Sequence, residues 1–339
     1  MTSTPQNEDT TLTCTDAVFV DTARIYAGGK TEQIVGESLS ACACSTKDHA
    51  FYIGTKAHPS QPDGLSKTGI LSQLQTSLDA MKLDSVQEYY LHQPDPETPL
   101  LESLQCLHEL VQAGTIQEIG MSNYAAAEMQ RAFEICEEHN LTKPKVYQGL
   151  YNPLNRRVEE ELLPVLRRHG CSFVAYNPLA AGLLTGRHVK MNSDENVPKG
   201  RFKNNPNYLP RFYTPANFQA LEVIRAACEK AEISMVEATY KWLLFHSALD
   251  ADKGDGLLIG ASSLEQLDAN LKACSVFEDG QLPLNVREAF DKAWEVVSSV
   301  EPSEVFPYWR SYSKDMPGRE ELDHGASYNA NKIAAAEGK

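Results

Sequence analysis

Four side chains of the kinds that can donate a proton while a carbonyl group is reduced follow three separate apolar runs of this sequence. They are Asp21, Tyr26, Lys56 and His92. A tyrosine hydroxyl has a pKa of about 10, which is too high for an efficient acid at neutral pH. A lysine ammonium beside the hydroxyl lowers that pKa, and a carboxylate such as Asp21 keeps the lysine charged. With His92 orienting the carbonyl oxygen or passing a proton, the set predicts a proton donor aimed at a developing alkoxide.

These side chains must be brought together by the elements that precede them, which alternate between strand and helix patterns. The predicted strands cover residues 17–20, 51–55, 86–91, 115–120, 145–150, 172–177 and 256–260. One apolar face of the helix between the second and third strands consists of Ile70, Leu71, Leu74, Leu78 and Met81. Such alternation predicts βαβ units and a parallel sheet. The even spacing of the first six strands favours an α/β fold of the (β/α)8 TIM barrel type, whose active site lies at the C-terminal ends of the strands.

The predicted barrel is one strand short. Seven strands are recognisable, and the missing one should precede Val18, where residues 1–16 are polar. We therefore expect a disordered or atypical N-terminus at 1–16, a barrel lacking its first strand and helix at 17–310, and a mobile C-terminal tail at 311–339. The polar segment at 190–215 is too long for a simple connection and predicts a functional loop.

Composition and charge exclude several classes of function. The net charge of −15 over 339 residues argues against a nucleic-acid partner, because such a surface needs a basic footprint. No apolar run is long enough to predict a membrane span, and the polar start is unlike a secretory signal, so we expect a cytoplasmic protein. Among eight cysteines the single CxC pair, Cys42 and Cys44, has no second pair, so we expect reduced thiols and no metal site.

Carbonyl reduction also needs a source of hydride. No GxGxxG sequence follows a predicted strand, which argues against a Rossmann domain and favours a dinucleotide bound across the barrel mouth. Ser122, Asn123 and Gln148 could form hydrogen bonds with a carboxamide, and Tyr176 offers a face on which nicotinamide could stack. The helix after the last strand begins at two serines, whose hydroxyls and free amides predict an anion site. An ordinary helix N-cap is the alternative explanation for those serines.

The motifs around these residues resemble those of the aldo-keto reductases. In order they are DTARIY, GTKAHP, YYLHQPD, IGMSNY, VYQGLYNPLNR, AYNPLAAGLLTGR and IGASSLEQLDANL, and they are most similar to the aflatoxin-aldehyde (succinic semialdehyde) reductase branch. The resemblance covers about residues 17 to 310 and implies a (β/α)8 barrel that reduces carbonyl groups with NADPH. The implied catalytic tetrad is Asp21, Tyr26, Lys56 and His92. The implied cofactor residues are Ser122, Asn123, Gln148, Tyr176, Asn177, Pro178, Leu179, Gly182, Leu184, Gly186, Arg187, Arg201, Ser262, Ser263, Gln266 and Asn270. The implied substrate residues are His92, Tyr208, Arg211 and Arg310.

The leading hypothesis is therefore an NADPH-dependent reductase of small, aromatic or carboxylated aldehydes. Since residues 262–270 include no basic side chain, the preference for NADPH over NADH rests on Ser262, Ser263, Gln266 and Arg201. The expected partner is a small carbonyl substrate, with no nucleic acid and no membrane, and a homodimer is a candidate assembly because the branch is often dimeric. Two alternatives stay open, namely a non-catalytic nucleotide-binding barrel that serves as a regulatory subunit, and an inactive truncated product.

Overall fold

Seven parallel strands in chain order form a single curled sheet in the computed structural model, which describes residues 18–41, 51–191, 197–198, 200–203, 205, 208–275, 281–300 and 312–319. The strands are β1 (Val18–Asp21), β2 (Phe51–Ala57), β3 (Val86–Leu91), β4 (Ile116–Ser122), β5 (Val146–Leu150), β6 (Ser172–Tyr176) and β7 (Gly256–Leu257). Each strand pairs in parallel with the next. The fold is thus the predicted α/β barrel of (β/α)8 type lacking one strand. Within the described residues β1 and β7 do not pair, so the sheet keeps two edges.

Ten helices accompany these strands within the described residues. They are α1 (Lys30–Ala41), α2 (Lys67–Met81), α3 (Leu100–Gln112), α4 (Ala126–Glu138), α5 (Leu162–Arg168), α6 (Leu209–Phe212), α7 (Pro215–Lys230), α8 (Met235–Phe245), α9 (Leu264–Ser275) and α10 (Leu284–Ser298). Residues 157–168 do not form one continuous helix but a 3-10 turn at Arg157–Glu159 followed by α5. Pro164 explains the break, because a proline lacks the amide hydrogen and is tolerated only in the first turn of a helix.

The buried face of α2 differs from the predicted one. Ile70, Leu74, Leu78 and Met81 are buried as expected, but Leu71 is 40% exposed. The helix buries Gln73 and Ser77 instead. Gln73 accepts a hydrogen bond from the His58 amide at 2.8 Å and donates one to the Gly64 carbonyl at 2.9 Å. Burial of this amide turns the helix so that Leu71 lies at the flank of the packed face.

The two edge strands differ: β1 carries exposed apolar side chains, and β7 has a very short ladder. Phe19 on β1 is 67% exposed and stacks on Tyr52 of β2, with ring centroids 4.8 Å apart. The last strand was expected to span 256–260 but covers only two residues, followed by one further bond from the Leu258 amide to the Ala175 carbonyl. A strand with a neighbour on one side only has few ladder bonds to define it. Among the described strands, β7 therefore has the shortest ladder, with two paired positions.

Residues 312–319, which lie within the predicted tail, pack against α3 and α4. The Ser313 amide donates to Glu128 Oε1 at 2.6 Å, and the Leu100 amide donates to Asp315 Oδ1 at 2.8 Å. This carboxylate caps α3, whose own N-cap residue provides no side-chain cap. The segment is thereby attached to the helices that follow β3 and β4.

Asp315→Asn is expected to lower the free energy of unfolding by about 1 kcal/mol at neutral pH, the usual cost of a lost helix cap. Partial burial opposes the charge of Asp315, but its bonds to Arg131 and the Leu100 amide bring its pKa below the usual range. A carboxylate whose pKa is lower in the folded than in the unfolded state stabilises the folded protein at pH values above its unfolded-state pKa, which is about 4 for Asp. That stabilisation is lost as the pH falls through the folded-state pKa. The stability difference between wild type and D315N, measured by denaturant titration, should therefore shrink below about pH 4. An equal difference at both pH values would contradict a role for the charge.

Candidate active site

Lys56 and Asp21 form a buried ion pair at the C-terminal ends of β1 and β2. The Lys56 side chain is fully buried, and its Nζ lies 2.6 and 2.7 Å from the two carboxylate oxygens of Asp21. A third bond runs from Nζ to the Thr22 carbonyl at 2.9 Å. All three ammonium hydrogens therefore have acceptors, which a buried charge requires. Asp21 pairs with Gly54, and Lys56, two residues further along β2, lies on the same face of the sheet as Gly54.

Tyr26 lies next to this pair, on residues 22–29, which we call the Tyr26 turn. Lys56 Nζ is 5.4 Å from the centroid of the Tyr26 ring. The turn is joined to β2 by bonds from the Thr22 amide to the Gly54 carbonyl at 2.8 Å and from the Arg24 amide to the Lys56 carbonyl at 3.2 Å. The structure thus brings the predicted phenol and ammonium together.

His92 completes the predicted tetrad from the end of β3. Its ring contacts the Tyr26 ring edge to face, with centroids 5.6 Å apart. Burial, with further contributions from His58 and Lys56, holds the pKa of His92 well below its usual range. The imidazole is therefore neutral, and it can orient an oxygen through a hydrogen bond without carrying a charge. Its Nδ1 is buried and has no hydrogen-bond partner among the residues described.

His58 is a member of this site that the sequence interpretation missed. Its ring packs edge to face on His92 with centroids 5.0 Å apart, and burial lowers its pKa to about 4. The His58 Nδ1 accepts a hydrogen bond from the Ser60 amide at 3.0 Å. A signal was present in the sequence, because His58 follows Lys56 by two residues and side chains two apart on a strand share a face.

The residues predicted to hold a carboxamide are joined to the tetrad by hydrogen bonds. Gln148 on β5 donates from Nε2 to Asp21 Oδ1 at 2.9 Å. Asn123, which follows β4, donates from Nδ2 to the His92 carbonyl at 2.9 Å and to Ser122 Oγ at 3.1 Å. The Tyr176 hydroxyl donates to Asn123 Oδ1 at 2.7 Å, which holds one edge of the ring. Polar groups from β1 to β6 therefore meet at one rim.

The predicted cofactor run 177–187 forms a tightly turned loop after β6. Five of its residues have positive φ, namely Asn177, Ala180, Ala181, Gly182 and Gly186. Gly182 has open space where a Cβ would stand, whereas the Leu184 side chain is fully buried in the core. Leu184, which was predicted to contact the cofactor, therefore exposes no surface to a dinucleotide in this structure. The remaining members of this run, Pro178, Leu179 and Arg187, lie on the same loop.

The predicted anion residues lie together at the N-terminus of α9. The Ser262 amide and hydroxyl both donate to Gln266 Oε1, at 3.1 and 2.8 Å, and the Gln266 amide donates to Ser263 Oγ at 3.3 Å. Asn270 donates to the Gly260 carbonyl at 3.2 Å. These side chains cap their own helix, as the alternative interpretation expected, and they stand beside the free amides of its first turn.

Three predicted residues of the long polar segment form a cluster of stacked groups. The Arg201 and Arg211 guanidinium carbons lie 5.0 and 5.9 Å from the Tyr208 ring centroid. Arg201, expected at the cofactor, thus packs with the two residues expected at the substrate. Arg211 Nε is buried and has no hydrogen-bond partner among the residues described. Arg310 lies outside the described residues.

The described part of the chain shows no cluster of three or more His, Cys, Asp or Glu residues arranged to hold a metal ion. Cys42 and Cys44 lie outside the described residues. The site as described contains the Lys56–Asp21 ion pair, the Tyr26 phenol and the two neutral imidazoles of His58 and His92.

Comparison with known proteins agrees with this arrangement. The model of the aldo/keto reductase family matches residues 13–283. The rat protein named aflatoxin B1 aldehyde reductase member 2 is 40% identical over 289 residues, covering 82% of this chain and 77% of that protein. Human aldo-keto reductase family 7 member A3 is 38% identical, covering 82% of this chain and 85% of its own. An aldo-keto reductase of Pseudocercospora fijiensis is also 38% identical, covering 82% and 93%. With a parallel barrel, a tetrad at its rim and matches across most of its length, the chain belongs to the aldo/keto reductase family of oxidoreductases.

Proposed function

We propose that this protein reduces aldehydes to alcohols with NADPH and that Tyr26 is the general acid. The observation that carries the proposal is the buried Lys56–Asp21 pair, with the ammonium 5.4 Å from the Tyr26 ring. The names of the relatives, which include an aflatoxin B1 aldehyde reductase, support aldehydes as the substrate class. The family's general use of nicotinamide cofactors supports a hydride mechanism.

Each residue of the tetrad has a separate task in this proposal. NADPH, when bound, would supply the hydride that reduces the carbonyl carbon. Tyr26 holds a proton at its hydroxyl oxygen and delivers it to the oxygen of the developing alkoxide. The Lys56 charge stabilises the phenolate that remains, and Asp21 keeps that charge in a dry site. Neutral His92 orients the carbonyl oxygen by a hydrogen bond.

The residues present fit a nicotinamide dinucleotide. Among the described residues His92 Nδ1 has no hydrogen-bond partner, which a bound molecule would provide, and the open space beside Gly182 leaves room for one. The amide-binding set is Ser122, Asn123 and Gln148, with Tyr176 as the ring face. Ser262 and Ser263 at the start of α9 would receive a phosphate group, because helix N-termini bind anions.

The preferred aldehydes are expected to carry a carboxylate. Arg211 Nε is buried and has no partner within the part of the chain that the structure describes, and the guanidinium stacks on Tyr208, which orients it. A planar guanidinium pairs with a carboxylate through two parallel bonds. Arg201 also stacks on the Tyr208 ring and adds positive charge to this cluster. Arg310 would contribute in the same way under the family resemblance.

The test is turnover of 2-carboxybenzaldehyde and succinic semialdehyde, followed by the loss of reduced nicotinamide, with NADPH and NADH compared. Faster turnover with NADPH, and faster turnover of carboxylated than of uncharged aldehydes, is the expected result. Tight NADPH binding without turnover on a broad carbonyl panel would instead support the regulatory barrel. A thermal melt without a cooperative transition would support the inactive product.

Replacing Ser262 and Ser263 together by alanine is expected to weaken NADPH binding about tenfold and NADH binding less, because a hydrogen bond to a charged group contributes about 1.5 kcal/mol. Binding would be measured by fluorescence titration. Ser234→Ala is the matched control, since Ser234 caps α8 through the Glu237 amide at 3.1 Å and lies outside the proposed cofactor set. Equal weakening of both cofactors, or an equal effect of S234A, would contradict the phosphate assignment.

Assembly and location stay predictions. No helix among the described residues is long and apolar enough to cross a membrane. We propose a homodimer on the family resemblance alone, and sedimentation analysis of the purified chain tests it.

A further inference from the structure

A buried bridge outside the tetrad joins the Tyr26 turn to the strand that carries Lys56. The Arg24 guanidinium forms an ion pair with Glu32 Oε2. The second oxygen of Glu32 accepts a hydrogen bond from the Thr55 hydroxyl at 2.7 Å. Glu32 and Thr55 are fully buried, and the Arg24 side chain is 13% exposed. Since Thr55 is the residue before Lys56 on β2, the bridge ends one residue away from the ammonium of the tetrad.

Arg24 also packs against the Tyr26 turn itself. A Cβ added to Gly29 would lie 1.6 Å from Arg24 Nη2, so the guanidinium packs directly against the backbone of Gly29. Three successive residues after Tyr26, namely Ala27, Gly28 and Gly29, have positive φ values of 49, 65 and 91°. For a non-glycine residue such as Ala27 that conformation is strained. The turn therefore needs contacts elsewhere to hold this shape, and Arg24 provides one of them.

We propose that Arg24 and Glu32 are positioning residues that fix the Tyr26 hydroxyl relative to Lys56. The inference rests on the proposed function, because it assigns the bridge a role in setting the acid of that reaction. Neither residue reaches the reacting atoms. Their effect passes through the backbone of the Tyr26 turn on one side and through Thr55 on the other.

The expected effect on catalysis is large because proton transfer depends steeply on geometry. A displacement of about 1 Å in a reacting group can lower a rate about 100-fold. A phenol further from the ammonium is also a weaker acid, because the attraction between the phenolate and the ammonium falls with distance. Loss of the bridge should therefore lower kcat and move the alkaline limb of the pH–rate profile to higher pH. The Kd for NADPH, which depends on other strands, should stay within about twofold.

A bridge of buried charges could instead matter for folding alone, and three variants separate the two roles. Glu32→Gln leaves the Arg24 charge buried without its partner, which lowers both stability and the order of the turn. The double variant Arg24→Met with Glu32→Leu removes both charges, and such apolar replacements often restore stability. Glu128→Gln is the matched control, because Glu128 is also fully buried, pairs with an arginine and lies on α4 away from the turn.

The measurements are kcat and its pH profile with NADPH, thermal stability, and hydrogen exchange of the backbone amides at 22–29. We expect kcat to fall about 10- to 100-fold in E32Q and in the double variant, although the double variant regains stability. E128Q should keep kcat and the alkaline limb. Recovery of kcat together with stability in the double variant, or an equal loss in E128Q, would overturn the proposal.

Hydrogen exchange keeps this test independent of the proposed function. If the wild type shows no turnover, or Tyr26→Phe is fully active, the function fails whatever the bridge does. Faster exchange of the amides at 22–29 in E32Q than in E128Q would still support the positioning of the turn. Unchanged exchange in E32Q would show that the bridge does not hold the turn. Loss of activity in Tyr26→Phe together with a fully active E32Q would show that the bridge alone was assigned wrongly.

Discussion

Replacing Tyr26 by phenylalanine is expected to lower kcat for aldehyde reduction by about 10²- to 10⁴-fold, the usual contribution of a positioned general acid. The ring itself is kept, so its contact with His92 and its place above the Lys56 ammonium should persist. Only the proton at the hydroxyl is removed. The Kd for NADPH should therefore change little, and the loss should appear in single-turnover measurements of the chemical step.

Tyr240→Phe is the control for this change. The Tyr240 hydroxyl on α8 is buried and has no hydrogen-bond partner among the described residues, so its removal breaks no bond. Y240F should keep the kcat of the wild type. A Tyr26→Phe protein with wild-type kcat would show that another group supplies the proton, and the assignment of the acid would fall.

Positions at the strand ends could be predicted from the sequence because parallel strands impose them. Once Asp21, Lys56 and His92 are assigned to the ends of consecutive strands, pairing between neighbours brings their side chains to one rim. The position of Tyr26 follows from its short separation from Asp21. The chemical identities of these groups then suggest the reaction. This part of the site depends on local patterns and on one general rule of barrel geometry.

Contacts between distant strands could not be predicted in the same way. Gln148 lies 127 residues from Asp21 in the chain, and their hydrogen bond depends on how the sheet curls. The sequence interpretation placed Gln148 near a carboxamide but had no basis for joining it to the carboxylate of the tetrad. The stacking of Arg201 on Tyr208 could not be predicted either, since it depends on the path of the long loop that carries both residues.

Helix α1 shows why the bridge to the Tyr26 turn was also missed. The residues that α1 buries fully are Glu32 and Gly36, and its apolar side is short, with Val35 and Leu39 partly buried against the core. Gly36 packs closely against α2, since a Cβ there would lie 2.5 Å from the Ala80 carbonyl oxygen. The buried Glu32, paired with Arg24, fills a position in the interior that an apolar residue would normally occupy. Polar packing of this kind leaves little periodic signal in a sequence.

Lys56→Met is expected to affect both activity and stability. The variant loses the charge that stabilises the phenolate, and kcat should fall at least about 10²-fold. It also leaves Asp21, whose side chain is 19% exposed, without its cation, and removal of one partner from a buried pair costs about 3–5 kcal/mol. The bond from Gln148 to Asp21 offsets a part of that cost. Denaturant titration and steady-state kinetics measure the two effects separately.

The double variant Lys56→Met with Asp21→Asn separates catalysis from folding at this pair. Since neither group then carries a charge, most of the lost stability should return, whereas kcat should stay low because no ammonium faces the phenol. Lys67→Met is the control for removing a lysine, because the Lys67–Glu109 pair is half exposed and such pairs contribute about 1 kcal/mol or less. If kcat recovered with stability in the double variant, Lys56 would be a structural residue, and the acid at Tyr26 would need another source of stabilisation.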